Sequence, residues 1–232
     1  MKTLTEIRAA LRRLTVDQRM TVELWLQELD GIPPPGSDAS DAELACAAVD
    51  PSFMTLDEFL EFEKASPLRH EFINGAIFGM SSSSLNHQRI VLNFTLALHA
   101  HLKHGPCEVF SSGMPVVIKQ DEHEILYYPD VMVDGRPDTR TTHYLREPKL
   151  IVEVLSRSTQ QTDSRQKLLD YPLIDSLEEY VLVAQDKRHV IVYPRAEDWR
   201  PRVYSTLDAA VELRSIDLTV PMIKLYEGVR AS

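Results

Sequence analysis

The sequence predicts a mixed α/β domain, with a central mixed sheet flanked by helices and a short helical appendage at its N-terminus. Two observations carry that prediction. Apolar residues recur at helical spacing in several stretches, while short runs rich in Val, Ile and Tyr stand between turn residues. Their order is helix, hairpin, helix, several strands, helix, two strands, which packs as a sheet covered by helices.

Within 3–29, Leu4, Ile7, Leu11 and Leu14, then Val22, Leu24, Trp25, Leu26 and Leu29, predict two amphipathic helices. The stretch 31–45 is rich in Pro, Gly, Ser and Asp and reads as a linker. The expected organisation is thus a helical appendage at 1–30, a linker at 31–52 and a main domain at 53–232. The apolar stripes of the appendage suit either packing on the protein's own surface or self-association, a homodimer being the simplest form. Thr55 and Glu58 stand at capping-box spacing and predict a helix over about 56–64. Asn74-Gly75 between two apolar runs predicts a hairpin. The serines at 81–84 cap a long helix, in which Ile90, Leu92, Phe94, Leu96 and Leu98 are expected to be mostly buried. Strands are expected near 107–111, 115–119, 126–133 and 149–155, a helix over about 160–171, strands at 179–185 and 189–195, and a last helical turn within "PMIKLYEGV".

Composition narrows the functional classes. With 44% hydrophobic and 26% charged residues among 232, the chain is of ordinary globular type. No apolar run approaches the roughly 18 residues that span a bilayer. Glu6, Arg8, Arg12 and Arg13 interrupt the first apolar positions, which argues against a signal-peptide core. Two cysteines make no disulfide framework, so a cytoplasmic protein is expected. A net charge of −10 argues against gripping nucleic acid by bulk electrostatics. Residues 136–167 nevertheless hold seven basic and four acidic side chains, which makes them the most basic region of an acidic chain.

Two carboxylates sit where a core should be dry. Asp130 heads the run Val131-Met132-Val133, and Glu153 lies inside 150–155, "LIVEVL". Buried acids need a partner, hydrogen bonds or a metal. Alternation along a strand puts Ile151, Glu153 and Leu155 on one face and Val152 and Val154 on the other. If both acids project from one sheet edge, they form a hard-oxygen site for Mg²⁺, with Mn²⁺ as a substitute. The competing reading makes Asp130 a strand-end cap after Pro129 and pairs Glu153 with Arg69 or Arg146. Asp163 and Lys167 are four apart on the next helix; that spacing suits an exposed ion pair as well as a lysine aimed at the acids. His101, His104 and Cys107 lack a fourth zinc ligand, and no Gly-x-Ser-x-Gly elbow is present.

The run "YPDVMV…PKLIVEVLSRST…TDSRQKLLDYPLIDSLEEYVLVAQDKRHVIVYPR", together with "RHEFINGAI" and the serines before His87, closely resembles the Uma-type restriction-endonuclease family, over about residues 53–228. That family is a branch of the PD-(D/E)XK nuclease superfamily. The resemblance implies a restriction-endonuclease-like core and a Mg²⁺-dependent endonuclease acting on DNA. It implies that Asp130 and Glu153 bind the metal with the carbonyl of Val154, and that Glu71 is the additional acid near the first helix. The signature asks for lysine two residues after Glu153, where this chain has Leu155; Lys167 stands in its displaced place. His87 matches a family position near the long helix's start. His87, Arg157 and Arg165 are the expected substrate contacts. Two rival functions stay open: a catalytically silent nucleic-acid-binding or assembly protein of the same fold, for which Leu155 argues, and a metal-dependent hydrolase of small phosphate compounds, for which the charge argues.

Overall fold

Pro129 divides the apolar stretch at 126–133 into two strands that belong to different sheets. A computed structural model of the chain describes residues 54–80, 83–120, 123–135, 143–155 and 162–230, with the side chains of 162–165 excepted. The expected N-terminal helices and linker lie outside these residues, as do Arg157 and the side chain of Arg165.

Strands β1 (His70–Ile73), β2 (Ala76–Gly79), β4 (Val116–Gln120) and β5 (His123–Tyr127) make a four-stranded sheet in the order β2-β1-β5-β4. Strands β3 (Glu108–Ser111), β6 (Val131–Asp134), β7 (Pro148–Leu155), β8 (Glu179–Ala184), β9 (Val190–Pro194) and β10 (Arg202–Tyr204) make a six-stranded sheet in the order β10-β9-β8-β7-β6-β3. Only β7 and β8 run parallel in it, so the sheet is mixed. A hairpin of β11 (Ala210–Leu213) and β12 (Leu218–Pro221) follows.

The local signals explain the elements. Thr55 and Glu58 close the predicted capping box on α1 (Leu56–Ala65). Asn74 and Gly75 take φ of 49° and 95°, the paired left-handed conformation that a two-residue hairpin turn requires. Ser84 caps α2 (Leu85–Leu102) through the amide of His87. Helix α3 (Thr162–Asp170) ends before Pro172, where one 3₁₀ turn takes over, and α4 (Met222–Leu225) is the last helical turn.

The six-stranded sheet is covered differently on its two faces. On one, α2, α4 and the β11–β12 hairpin bury Ile90, Phe94 and Leu98 against Val131, Val152 and Val154. On the other, the four-stranded sheet and the turn after α3 bury Tyr127 and Tyr171 against Met132 and Ile151. Helix α1 closes the far side of the four-stranded sheet over Phe72 and Leu126.

Three expectations are corrected. Leu92 and Leu96 are exposed, because a helix turns 100° per residue and the stripe that reaches the sheet is Ile90, Val91, Phe94, Leu98 and Leu102. The single strand expected at 126–133 is two, because Pro129 offers no amide to a ladder. Strands β10, β11 and β12 were not foreseen; they are three or four residues long, too short to show a period.

Candidate active site

The β6–β7 ladder places the two acids. Val131 pairs with Val152 in antiparallel register, so the next step sets Asp130 across from Glu153. β6 has ended there, and the amide of Val154 would lack a ladder partner; it donates instead to Oδ2 of Asp130 at 2.7 Å. His87 Nε2, from the first turn of α2, stands 3.2 Å from the same oxygen.

Glu153 points away from Val152 and Val154, into the layer that holds Tyr171. Its partners are neither Arg69 nor Arg146. Arg69 lies beside Glu63 and over the ring of Tyr128, and Arg146 donates to the hydroxyl of Tyr144. The Tyr171 hydroxyl donates to Glu153 Oε1 at 2.6 Å, and Lys167 Nζ lies 3.2 Å from that oxygen.

Lys167 joins two layers. Phe72 packs under α1, so its strand neighbour Glu71 faces the opposite way, toward the six-stranded sheet. Lys167 Nζ donates to Glu71 Oε1 at 2.8 Å and sits 4.9 Å from the centre of the Tyr127 ring. Only 5% of Lys167 is exposed. The Tyr127 hydroxyl donates to Asp170 at 2.7 Å, and Gln166 donates to both oxygens of Asp170, which ties the end of α3 to β5.

The site is electrostatically unbalanced. Burial first, then the charges of Asp130 and Glu71, push the Glu153 carboxyl up to about 8; Lys167 and the Tyr171 hydroxyl pull the other way without offsetting them. Among the described residues no three His, Cys, Asp or Glu side chains close on one point, so side chains alone build no cage for an ion. Mg²⁺ keeps much of its water, takes substrate phosphate as a ligand and needs only one or two protein carboxylates, which Asp130 and Glu153, opposed across the ladder, would supply. A cation there would supply the positive charge that Glu153 lacks.

Four expected residues, Asp130, Glu153, Lys167 and Glu71, thus lie in one polar seam, and His87 touches it through Asp130. The sequence reading names neither Tyr171 nor Tyr127. Tyr171 follows Lys167 by four, which is the available signal for it; Tyr127 is brought in by β5. His101 is a structural residue, donating from Nε2 to the Ile216 carbonyl at 2.8 Å.

A family model described as "Putative restriction endonuclease", Uma2, matches residues 56–222, most of the chain. The chain belongs to this family. Two relatives from Synechocystis sp. are uncharacterized proteins. One, slr1290, is 31% identical over 176 residues, covering 75% of this chain and 91% of the relative. The other, sll1609, is 34% identical over 148 residues, covering 62% and 82%. A crystal structure of "a putative nuclease belonging to DUF820" from Anabaena variabilis superposes with a TM-score of 0.62 at 22% identity, covering 76% of this chain and 99% of that one. At that identity the likeness establishes the fold, a nuclease-like one. Family membership supports a nuclease.

Proposed function

We propose that the chain is a Mg²⁺-dependent endonuclease that hydrolyses phosphodiester bonds in DNA. One observation carries this reading. The buried ammonium of Lys167, from α3, is shared between Glu71 of one sheet and Glu153 of the other, across from Asp130. A lysine missing beside Glu153 in sequence, where Leu155 stands, is returned to it in space.

Asp130, Glu153 and the Val154 carbonyl are the residues that would hold the ion. When bound, it would polarise the phosphoryl oxygen and lower the pKa of an attacking water. The hydrolysis is an in-line displacement: water oxygen bonds to phosphorus, one ester P–O bond breaks, and the departing oxygen takes up a proton. Lys167 supplies a fixed positive charge for the nucleophile or for charge developing on the phosphoryl oxygens. Glu71 aims that ammonium, and Tyr171 fixes the orientation of Glu153. Arg157 and Arg165 are assigned to phosphate contacts from their place in the basic stretch.

Nicking of supercoiled plasmid tests the reading. Cleavage is expected with Mg²⁺ and not in chelator, and Asp130→Asn and Lys167→Met should each lower the rate by about 10²–10³-fold, by analogy with removing a fixed electrostatic group. Circular dichroism checks that the variants fold. Cleavage indifferent to both chelator and Asp130→Asn overturns the assignment. Loss in Asp130→Asn with full activity in Lys167→Met removes only the lysine's role. Metal-independent DNA binding without cleavage moves the chain to the silent class.

A further inference from the structure

Ser84 does more than cap α2. Its Oγ accepts from the amide of His87 at 3.1 Å and donates to Oε1 of Gln185, in the turn after β8. His87 is 8% exposed, and its Nε2 reaches Asp130 Oδ2 at 3.2 Å. That oxygen also receives the Val154 amide at 2.7 Å. Gln185, Ser84, His87, Asp130 and Val154 therefore form one chain of contacts from the end of β8, through the first turn of α2, to the β6–β7 ladder.

Asp130 needs such a brace. It follows Pro129 and precedes the first ladder pair of β6, so no strand pairing fixes its side chain. The Val154 amide alone leaves the carboxylate able to pivot about one oxygen. His87 Nε2 comes to that oxygen from α2, so Oδ2 is held from two separate elements. The imidazole meets Asp130 through Nε2, and among the described residues buried Nδ1 has no hydrogen-bond partner. Both observations place the ring's working contact on Asp130. Histidine also suits the task chemically, since a ring nitrogen holds the acid from a second element, where a lysine or arginine would set a permanent charge in competition with the cation.

We propose that His87, clamped by Ser84 and Gln185, is a positioning residue that holds Asp130 in the orientation that binds the divalent ion, and that it does not contact substrate. This rests on Asp130 being a metal ligand, as set out under the proposed function.

The test is Mn²⁺ binding to the full chain by electron paramagnetic resonance, with thermal unfolding in chelator as the control for folding. His87→Leu, which fills the space without a donor, should weaken Mn²⁺ by about 10- to 100-fold, the usual cost of losing a group that orients a metal ligand. His87→Gln, whose amide nitrogen reaches about as far as Nε2, should restore most of the affinity. In cleavage assays the Mg²⁺ concentration at half-maximal rate should rise in His87→Leu while the metal-saturated rate stays near that of the natural chain. If His87→Leu does not fold, His87→Asn takes its place, since its amide reaches only as far as Nδ1, and the same loss is expected. Mn²⁺ binding by the Leu or Asn variant as tight as in the natural chain, with Asp130→Ala binding none, overturns the proposal and leaves the nuclease reading standing. A defect that Gln does not relieve also overturns it. No Mn²⁺ binding by the natural chain removes both.

Discussion

Glu153 and Glu179 are buried acids on adjacent parallel strands, and their surroundings give them opposite tasks. Glu179 takes Arg202 Nη2 at 2.9 Å, the amides of Arg214 and Ser215, and the Ser215 hydroxyl, and so fastens the segment after β11 to the sheet. Glu153 has one hydroxyl and one ammonium, which Glu71 shares, and two acids work against it. The consequence is measurable as pH dependence. The Glu153 carboxyl is raised from its ordinary 4.5 to about 8, chiefly by burial. The folded chain then holds that proton more tightly than the unfolded one, so this group's contribution is fully present below the ordinary value and is lost as pH rises through the raised one. In chelator the melting temperature should fall between about pH 5 and about pH 8 by more in the natural chain than in Glu153→Gln, whose amide does not titrate. Parallel profiles for the two would count against the account.

At the scale of the element, α2 shows how a helix can carry a site and a core together. Its first turn holds Ser84 and His87 at the sheet edge, while Ile90, Phe94 and Leu98 anchor it four residues apart. The anchoring should show in unfolding experiments. Leu98 is wholly buried and Leu96 is 58% exposed. Leu98→Ala should cost about 2–5 kcal/mol through lost transfer energy and the cavity left behind. Leu96→Ala should stay within about 0.5 kcal/mol, as surface substitutions do. Equal losses in denaturant melts would mean that α2 is anchored differently from the packing described.

At the scale of the whole molecule, the proposed action on DNA poses an electrostatic problem. A chain of net charge −10 repels a polyanion, and its clustered acids repel phosphate most strongly at the proposed site. Under the proposed function a bound cation would reverse that local sign, and the basic stretch 136–167 would add a few phosphate contacts. Binding to duplex DNA should therefore be weak in chelator and should gain with inert Ca²⁺. It should weaken with salt only shallowly, with a log–log slope of about −0.9 per phosphate contact. Fluorescence anisotropy with a labelled duplex measures this. Binding in chelator as tight as in Ca²⁺, with Asp130→Ala unaffected, would favour the silent class.

Much of this was legible in the chain itself because it is written in neighbouring residues. A capping box, an Asn-Gly turn and a serine cap are local, and each produced its expected element at its expected place. The two acids stood out because hydrophobic runs leave a carboxylate no local partner, and strand alternation set Glu153 on the face of Ile151 and Leu155. Helical amphipathicity is finer than alternation: every second residue of α2 from Ile90 to Leu98 is apolar, yet the 100° turn keeps Leu92 and Leu96 out of the core. Tertiary structure alone decided which groups answer Glu153. Spacing left Lys167 free to pair with Asp163 along its own helix, and Glu71 free to lie in solvent at a hairpin. Packing two sheets face to face brought that lysine between Glu71 and Glu153, which are 82 positions apart in the sequence. Contacts at such separation follow from how layers stack to bury apolar surface, and no local pattern encodes which polar groups the stacking will trap between them.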